Sequence, residues 1–582
     1  MALLIRRVTC LGCATSNKFG RTLYTIRPAS TCKNVETDLL IIGSGGAAMT
    51  AALRAKHHGL SPLIVEKASR IGGTTGYSGG GLWIPNSGLH PGVQDSIEEA
   101  LKYMEALIGD AGPASTRERK LAFLENGPKM IGFLAGEGFR WVPTTGYPDY
   151  YPNLPGGMAG GRSIEGDRFD LNKLGSWKGK LSSNPRMATM PLHTFEAKTL
   201  FRALSSLEGM LMALKIFGWR RLSSKLLGRA IVTMGGTLAG QLLHINLEKN
   251  TPIWTDSPMK RLTVENGKVT GATVEHDGAL VHVKAKKGVI LAAGGFARNA
   301  KMRQKYQEAP ITADWTVVPP NNDMGDAITA AIDIGAATAL MDDSWWGPVI
   351  VNPMTGQSNW TQYERALPYS IIVDKGGRRF TNEAQSYTTF CHDMYERNRT
   401  TPAIPAYMIV DARFRKRYIL AGISPGKLSE ETLESGFVTQ ADTLESLAKK
   451  LDIDAAGLLD TVKHFNTMAV AGVDEDYERG GSAYNRFFGD PAVKPNPNLG
   501  TIEKGPFSAV KIHPGDLGTK GGVLTDEWAR ALRDDGGVIE GLYAVGNSSA
   551  SVMGREYAGA GSTLGPAMTF AYVAVEDMVR KK

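Results

Sequence analysis

A tyrosine stands directly before a run of spaced glycines near the end of the chain, in the stretch GREYAGAGSTLGPAMTF, residues 554–570. The glycines, Gly559, Gly561 and Gly565, are typical of a backbone that closely approaches another molecule, because they carry no side chain that would prevent it. The phenol of Tyr557 could donate a hydrogen bond to an oxygen of that molecule, or it could be ordinary packing. The choice between these roles depends on what the other motifs bind.

A second glycine cluster, near the start of the chain, is typical of a nucleotide-binding turn. Gly43-Ser44-Gly45-Gly46-Ala47-Ala48 follows the apolar strand DLLIIG and opens a helix that we predict to end at Gly59. In a GxGxxA pattern the first glycine allows a sharp turn, the second lets the backbone approach a pyrophosphate, and the alanine permits close packing of helix on strand. The phosphates then meet the positive end of the helix.

An acidic residue ends the strand that follows this helix. Glu66, in PLIVEK, is placed to accept hydrogen bonds from a ribose, which completes a βαβ unit over residues 37–67. A carboxylate at this place favours an unphosphorylated adenosine, as in FAD or NAD. A plain glycine turn in an α/β fold is the alternative interpretation.

A third glycine-rich stretch, GGTTGYSGGGLWIP, residues 72–85, favours FAD over NAD. Together with VILAAGGF and GLYAVGN, it resembles the FAD-binding proteins of the fumarate reductase and succinate dehydrogenase flavoprotein superfamily. The resemblance, which extends from Glu36 nearly to the end, implies that FAD lies extended and that this loop and the C-terminal segment reach its isoalloxazine ring. It implies contacts to FAD from Gly43, Ser44, Gly45, Gly46, Ala47, Ala48, Glu66, Lys67, Gly73, Thr74, Thr75, Ser78, Gly79, Gly80, Gly294, Gly546, Asn547, Ser562 and Leu564.

We expect the FAD to be bound non-covalently. Residues 72–81 contain no histidine, whereas the succinate dehydrogenases carry one in this loop for covalent attachment.

The C-terminal segment separates the members of this superfamily. In fumarate reductases it carries an arginine, within an RLGG-like run, that binds a substrate carboxylate. Here the matching place reads Glu556-Tyr557-Ala558-Gly559-Ala560-Gly561, and a phenol with glycines suits a neutral carbonyl. The stretch NSSASVMGREYAGAGSTLGPAMTF resembles the 3-ketosteroid Δ1-dehydrogenases.

Two other motifs carry the same resemblance. PDYYPNLPGGMAGGRSIE contains a DYY run ahead of GRS and places Tyr150, and RRFTNEAQSYTTF places Tyr387 four residues after Glu383. The resemblance therefore implies that Tyr150, Tyr387, Tyr557 and Gly561 are the catalytic residues. Many members have proline after the last tyrosine, where this chain has Ala558. No metal site is predicted.

Dehydrogenation of a 3-ketone between carbons 1 and 2 removes a proton beside the carbonyl and a hydride from the next carbon. We expect the Tyr557 hydroxyl and the Gly561 N–H to form an oxyanion hole for the developing enolate. Tyr387 would take the proton from carbon 2, with its pKa lowered or its proton relayed to Tyr150. The hydride goes to flavin N5.

The predicted function is dehydrogenation of a hydrophobic 3-ketone, either a steroid or a steroid-like triterpenoid, with oxygen or a quinone-like molecule as electron acceptor. A Δ4-dehydrogenase of the same family is the alternative. More distant alternatives are a fumarate or enoate reductase and a flavoprotein that binds sterol without turnover.

The predicted fold class is α/β, with a Rossmann-like FAD-binding domain into which a discontinuous α+β catalytic domain, or cap, is inserted. Residues 260–297 are expected to form a β-ribbon with a hairpin turn at Asn266-Gly267. Residues 441–469 have a helical pattern. The predicted parts are an extension over 1–35, the FAD-binding domain over 36–342 and 517–582, and the catalytic domain over 343–516.

The net charge of +8 is concentrated in residues 1–35, which contain six basic residues and no acid. The rest of the chain is close to neutral, so no nucleic-acid partner is predicted. The basic, Ser/Thr-containing start resembles a mitochondrial transit peptide and predicts mitochondrial targeting in a eukaryotic organism such as a fungus. The alternative is an extension without an address on a cytoplasmic or peripherally membrane-associated protein.

Residues 198–229 carry seven basic residues against the single acid Glu208, interleaved with Leu, Met, Phe and Trp. The pattern predicts a basic amphipathic helix that contacts a membrane surface. The alternative is a surface helix packed on its own domain.

Overall fold

The computed structural model describes residues 33–184, 192–200, 202 and 206–581. Its strands are β1 (Lys33–Ile42), β2 (Pro62–Val65), β3 (Gly81–Trp83), β4 (Trp141–Pro143), β5 (Ser163–Gly166), β6 (Phe169–Asp170), β7 (Ile231–Val232), β8 (Ile253–Trp254), β9 (Met259–Glu265), β10 (Lys268–His276), β11 (Ala279–Leu291), β12 (Thr338–Ala339), β13 (Ser344–Val351), β14 (Ser358–Trp360), β15 (Ser370–Val373), β16 (Ala406–Val410), β17 (Thr439–Ala441), β18 (Phe507–Thr519), β19 (Gly522–Val523), β20 (Arg530–Leu532) and β21 (Val538–Ala544).

The α-helices of the same residues are α1 (Gly46–His57), α2 (Ile97–Ile108), α3 (Arg117–Gly136), α4 (Thr194–Leu200), α5 (Leu207–Ala213), α6 (Arg221–Leu226), α7 (Met234–Glu248), α8 (Ala300–Tyr306), α9 (Asp326–Ile332), α10 (Tyr387–Asn398), α11 (Ala412–Arg417), α12 (Glu430–Glu434), α13 (Leu444–Leu451), α14 (Ala455–Ala471), α15 (Ala483–Phe488) and α16 (Leu564–Arg580). A π-helix, Leu214–Arg220, joins α5 to α6. Short 3-10 helices span Gly73–Tyr77, Gly112–Ser115, Leu171–Lys180, Glu364–Ala366 and Gly546–Ser548.

The largest sheet has the order β20-β21-β11-β1-β2-β8, and its central strands are parallel. Residues 39–42 of β1 are buried, as expected for a parallel sheet covered on both faces. β1, α1 and β2 form the predicted βαβ unit. The strand begins at Lys33 and pairs with β11 from that residue, so residues 33–35 belong to the sheet and not to the extension. The other predicted residues of the extension, 1–32, lie outside the described residues.

The β-ribbon is formed by β9, β10 and β11, which are antiparallel. Asn266 and Gly267 connect β9 to β10 with φ of 50° and 79°, the left-handed values that a tight two-residue hairpin turn requires. The predicted hairpin is confirmed. β11 then runs into the parallel sheet beside β1, which brings the following glycines to the end of β1.

A second sheet, with the order β14-β13-β18-β16-β15, is antiparallel, and β17 pairs with β18. The predicted boundary after residue 516 falls inside β18, which continues to Thr519. The helical pattern over 441–469 forms two helices, α13 and α14, because Asp452 adopts a left-handed conformation with φ of 54°. Tyr387, at the start of α10, and Tyr557 belong to one hydrophobic core that also contains α1 and α16.

Candidate active site

The glycine turn after β1 leaves open space in front of α1. Gly43 has φ of 103°, and a Cβ there would lie 2.4 Å from the carbonyl oxygen of Ala292, so the turn requires glycine. Gly45 is the N-cap of α1, and a Cβ on it would approach only the Thr75 hydroxyl, at 3.4 Å. Ala47 and Ala48 are buried on α1. The space before Gly45 thus meets the N-terminal end of the helix, where an anion is stabilised.

The predicted ribose acceptor lies beside this turn. The Ser44 hydroxyl donates to the Glu66 carboxylate at 2.6 Å, and the Ala68 N–H donates to its other oxygen at 2.8 Å. Burial raises the pKa of Glu66, and these hydrogen bonds oppose the rise. The side chain of Lys67, the next residue, forms an ion pair with Asp326, with 2.6 Å between the ammonium and the carboxylate.

The second glycine-rich loop packs against the first. The Thr75 hydroxyl accepts from the Gly46 N–H at 3.0 Å, and the Ser78 hydroxyl donates to the Thr75 carbonyl at 2.7 Å. A Cβ on Gly73 or Gly79 would meet no atom within 4 Å, so open space continues along this loop. We call residues 43–48 and 72–80 the glycine cradle.

Asp323 contributes a buried carboxyl to the cradle that the sequence motifs did not indicate. One of its oxygens accepts from the Thr74 hydroxyl at 3.2 Å and lies where a Cβ on Gly294 would be 2.4 Å away. Its other oxygen, Oδ2, has no hydrogen-bond partner among the described residues. Burial raises the pKa of Asp323 to about 6. A buried oxygen without a partner and the open space at the glycines both fit a hydroxyl-bearing dinucleotide such as FAD.

The C-terminal segment closes the opposite side. A Cβ on Gly546 would lie 3.4 Å from Ala567 and 4.0 Å from Ala47, which places Gly546 next to α1. The Asn547 side chain accepts from the Trp345 indole at 3.0 Å. The Ser562 hydroxyl donates to the Gly559 carbonyl at 2.8 Å, two residues before Leu564 begins α16.

Three tyrosines from distant segments meet at one place, and we call Tyr150, Tyr387 and Tyr557 the tyrosine cluster. The hydroxyls of Tyr150 and Tyr387 are 3.0 Å apart. The ring of Tyr557 stacks on Tyr150 with 5.2 Å between centroids and meets the edge of Tyr387 at 5.1 Å. Their exposed fractions are 4%, 1% and 5%. The structure thus brings together the three tyrosines that the resemblance implied.

The backbone positions this cluster. The Tyr150 N–H donates to the Ala558 carbonyl at 3.0 Å, which ties the DYY loop to the segment that carries Tyr557. Gly561 has φ of 99°, and a Cβ on it would lie 2.4 Å from the Gly81 carbonyl, so no side chain fits there. The Thr563 hydroxyl donates to the Tyr557 hydroxyl at 3.2 Å.

Burial raises the pKa of all three phenols. The rise takes Tyr150 and Tyr387 well above their ordinary value, whereas hydrogen bonds from Thr563, Tyr387 and the Gly561 backbone oppose the rise at Tyr557. Of the two expected routes, a lowered pKa and a relay, the lowered pKa is contradicted, because desolvation of Tyr387 outweighs the hydrogen bond from Tyr150. The 3.0 Å contact with Tyr150 has the geometry that the expected relay needs.

Several aromatic neighbours of the cluster carried no signal in the sequence. Trp345 and Trp360 meet the edges of Tyr557 and Tyr387, each with 5.2 Å between centroids. Tyr484 packs on Tyr150 at 4.6 Å, and the Gln362 amide donates to the Tyr147 hydroxyl at 2.9 Å. These residues stand in no shared motif, and only the fold brings them together.

The comparison with known proteins first defines the class of protein to which the chain belongs. The family model described as the FAD binding domain matches residues 38–564, which confirms FAD as the cofactor and the mixed α/β flavoprotein fold. Over 564 residues, the chain is 45% identical to the 3-oxosteroid 1-dehydrogenase of Mycolicibacterium smegmatis, with 93% of this chain and 97% of that protein covered. The chain belongs to the 3-oxosteroid 1-dehydrogenase family.

Solved structures agree with this placement. The 3-ketosteroid Δ1-dehydrogenase of Sterolibacterium denitrificans, in complex with 1,4-androstadiene-3,17-dione, is 39% identical with a TM-score of 0.90, covering 94% of this chain and 100% of that one. The 3-ketosteroid-Δ4-(5α)-dehydrogenase of Rhodococcus jostii is 19% identical with a TM-score of 0.64, covering 94% and 98%, and shows the shared fold alone. The predicted family is confirmed. The relatives named here are bacterial, so a fungal origin stays a prediction.

Proposed function

We propose that this protein dehydrogenates a 3-ketosteroid, or a steroid-like triterpenoid 3-ketone, between carbons 1 and 2. The 3.0 Å contact between the Tyr150 and Tyr387 hydroxyls, beside Tyr557, is the observation that carries the proposal. The bound dienone in the Sterolibacterium relative supports a steroid ketone as substrate.

The Tyr557 hydroxyl and the Gly561 N–H donate to the ketone oxygen and stabilise the negative charge that develops as the proton leaves carbon 2. Tyr387 accepts this proton, and its contact with Tyr150 offers a path along which the proton moves away. FAD, when bound, supplies the acceptor for the hydride from carbon 1.

The cluster works in a water-poor environment. Its phenols are buried, and Trp345 and Trp360 cover the edges of Tyr557 and Tyr387. Hydrogen bonds to a developing oxyanion are stronger where water is excluded. A bound steroid, whose rings are apolar, would add to this exclusion of water.

Anaerobic stopped-flow reduction of the flavin, with mass spectrometry of the product, tests the proposal. A saturated 3-ketosteroid and a 4-en-3-one should both bleach the flavin and lose two hydrogens at carbons 1 and 2, whereas the matching 3-hydroxysteroid should do neither. A double bond between carbons 4 and 5 in the product of the saturated ketone would establish the Δ4 alternative. Binding without bleaching would establish a sterol-binding flavoprotein.

We also propose that residues 207–226, which we call the exposed helical run, rest on a membrane surface. The run consists of α5, the π-helix and α6. Most of its large apolar side chains are 42–77% exposed, as is Leu227, which follows the run; Ile216 is buried and Met212 partly buried. The exposed side chains of the run are Leu207, Met210, Leu211, Leu214, Phe217, Trp219, Leu222 and Leu226. Exposed Lys215, Arg221 and Lys225 accompany them. Within the described ranges, no helix is long and apolar enough to cross a bilayer.

Apolar side chains accompanied by cations suit the interface of an anionic membrane. Sedimentation with vesicles of phosphatidylcholine, with and without phosphatidylserine, tests this contact. The protein should sediment more with the anionic vesicles, and replacing Trp219 and Leu222 by serine should reduce sedimentation. Equal sedimentation of both proteins would contradict the proposal.

A membrane-bound enzyme would have access to lipid-soluble electron acceptors, so we propose a quinone-like acceptor, with oxygen as the alternative. Reoxidation of the anaerobically reduced protein by a short-chain quinone should be faster than by dissolved oxygen at equal concentration. For the location, we propose that the extension that precedes β1, residues 1–32, directs the chain to mitochondria. A reporter fused to them should enter mitochondria, and a diffuse cytosolic reporter would contradict targeting.

A further inference from the structure

The proposed role of Tyr387 raises an energetic problem that the tyrosine cluster does not solve by itself. A phenol accepts a proton as phenolate, yet burial disfavours this charged form. The neighbouring hydroxyl groups of Tyr150 and Tyr557 are neutral partners. A fixed positive charge close to the cluster would offset the cost of the phenolate.

Arg365 lies in the 3-10 turn Glu364–Ala366 and is 1% exposed. Its guanidinium is 5.1 Å from the ring centroid of Phe390, in the same first turn of α10 as Tyr387. Its two terminal nitrogens donate to the carbonyl oxygens of Glu383 and Gln385, at 2.5 and 2.6 Å. These carbonyls belong to the loop that leads into α10, whose first residue is Tyr387. The guanidinium therefore holds the backbone immediately before Tyr387.

The charge of Arg365 opposes the rise in pKa that burial causes at the adjacent Glu364, but the two do not form an ion pair. Among the residues that the structure describes, no carboxylate forms an ion pair with Arg365, and its Nε has no hydrogen-bond partner. The neighbouring Arg379 and Arg479 differ, because both pair with Glu383, at 2.8 and 3.2 Å. Burying a cation without a counter-ion costs stability, so a cation kept in this state calls for another role.

The ionisable groups that act on the charge of Arg365 are phenols and one thiol. Tyr150, Tyr387 and Tyr484 interact with its charge from three separate segments, and Cys391 does so from α10. Burial lowers the pKa of Arg365, and the interaction with these groups opposes that effect. The adjacent Glu364 is buried with its pKa raised to about 7, and Arg479 donates to the Arg365 carbonyl. At Tyr484 the charge of Arg365 opposes the rise in pKa that burial causes. A guanidinium held at the first turn of α10 would favour the phenolate of Tyr387 in the same way.

We infer that Arg365 is a positioning residue that holds Tyr387 at the start of α10 and supplies the positive charge with which its phenol accepts the proton from carbon 2. The inference rests on the proposed function. It assigns to Arg365 two separable effects, one from its hydrogen bonds and one from its charge.

The test is the pH profile of anaerobic flavin reduction in flavin-replete Arg365→Gln and Arg365→Lys. In Arg365→Gln the rise in rate should move to higher pH by about 1 unit or more, because the phenolate loses its cation. At pH values below the rise, Arg365→Gln should be slower than the wild type by about tenfold for each pH unit of this shift. At high pH the two rates should become equal again. Arg365→Lys keeps the charge, so its profile should stay near that of the wild type, with a lower maximum rate.

Arg415→Gln is the matched control. Arg415 is also buried, donates to the backbone carbonyls of Ser424 and Gly426, and has no phenol of the tyrosine cluster among the groups that affect its pKa. Its replacement should leave the pH profile unchanged. An equal shift in the Arg415 and Arg365 variants, or no shift in Arg365→Gln, would overturn the inference.

A second variant keeps the inference testable if Arg365→Gln fails to retain FAD. Glu364→Gln removes the acid next to Arg365 and should move the rise to lower pH, the opposite direction. An unchanged profile in Glu364→Gln would then count against the charge. Tyr387→Phe, measured in parallel, separates the proposed function from the role of Arg365. If Tyr387→Phe reduces the flavin at the wild-type rate, Tyr387 is not the base. If Tyr387→Phe is inactive but the pH profiles of the Arg365 variants are unshifted, only the role of Arg365 is disproved.

Discussion

The glycine cradle takes its residues from two stretches that are close together in the chain, 43–48 and 72–80. The tyrosine cluster, in contrast, takes Tyr150, Tyr387 and Tyr557 from three distant segments. In the cradle, function depends on side chains that are absent, as the open space before Gly45 shows. In the cluster, the proposed proton transfer depends on hydroxyl groups of Tyr150 and Tyr387, which lie 3.0 Å apart because of long-range packing. Holding a cofactor and moving a proton thus place different demands on the chain, and each region should respond to mutation in its own way.

The largest effect is expected in the cradle. Gly45→Val should abolish FAD binding, because its backbone conformation accepts a side chain but the added atoms would occupy the space before α1. The protein should purify colourless while its apo form still unfolds cooperatively. The measurements are the ratio of flavin to protein and thermal unfolding.

Gly132→Val is the control for this prediction, since Gly132 is an exposed glycine of α3 with no atom within 4 Å of its added Cβ. It should stay yellow. A Gly45→Val protein that is fully loaded with FAD would show that the open space before α1 does not hold the cofactor.

Acid or heat should release intact FAD from the wild type, because no histidine for covalent attachment lies in residues 72–81. Flavin that stays with the precipitated chain would disprove non-covalent binding.

The next largest effect is expected at Tyr387, the proposed proton acceptor of the tyrosine cluster. Tyr387→Phe should reduce the rate of flavin reduction by about 100- to 10,000-fold, with little change in substrate affinity, because both donors to the ketone remain. Exchange of the hydrogens on carbon 2 with solvent should be lost as well. Stopped-flow reduction in flavin-replete protein measures the first effect and mass spectrometry in deuterated water the second.

Tyr395→Phe provides the comparison on the same helix, because the Tyr395 hydroxyl donates to the Pro310 carbonyl, away from the cluster. It should react at the wild-type rate. If Tyr387→Phe also reacted at that rate, Tyr387 would not be the base.

A smaller effect is expected at the oxyanion donor. Tyr557→Phe leaves Tyr387 in place but removes one of two donors, which should reduce flavin reduction by about 100- to 1,000-fold. Affinity for the ketone should also weaken modestly, because the ground-state carbonyl accepts the same hydrogen bond. The split between dissociation constant and reduction rate checks this. A near wild-type rate would show that Tyr557 only packs.

The two regions also differ in how far the sequence could predict them. The cradle and the β9–β10 hairpin follow from local rules, since a turn of given geometry requires glycine or asparagine at fixed positions. The tyrosines were found only through their resemblance to a family, because nothing local distinguishes a buried catalytic tyrosine from a packed one.

Other parts depend on contacts that no local pattern encodes. Arg365, Tyr484 and Asp323 acquire their surroundings only when separate segments fold together. Of the two alternatives predicted for Tyr387, a lowered pKa or a proton relay, burial contradicts the first, and burial depends on how separate segments pack. Likewise, residues 33–35 resemble the basic extension in composition, yet β11 pairs with them and makes them part of the sheet.

The smallest effect is expected at Thr563, between Tyr557 of the tyrosine cluster and the start of α16. This residue directly precedes α16, and its hydroxyl donates to the Tyr557 hydroxyl at 3.2 Å. A neutral hydrogen bond contributes about 1 kcal/mol, so Thr563→Val should slow flavin reduction by only about fivefold if Thr563 merely orients the phenol. Thr563→Ser keeps the hydroxyl and should stay near the wild-type rate, while FAD content should be full in both. In the double variant Thr563→Val with Tyr557→Phe, the Thr563 change should add nothing, because its partner is gone. A full additional fivefold loss would place the effect of Thr563 on the cradle and not on the tyrosine cluster.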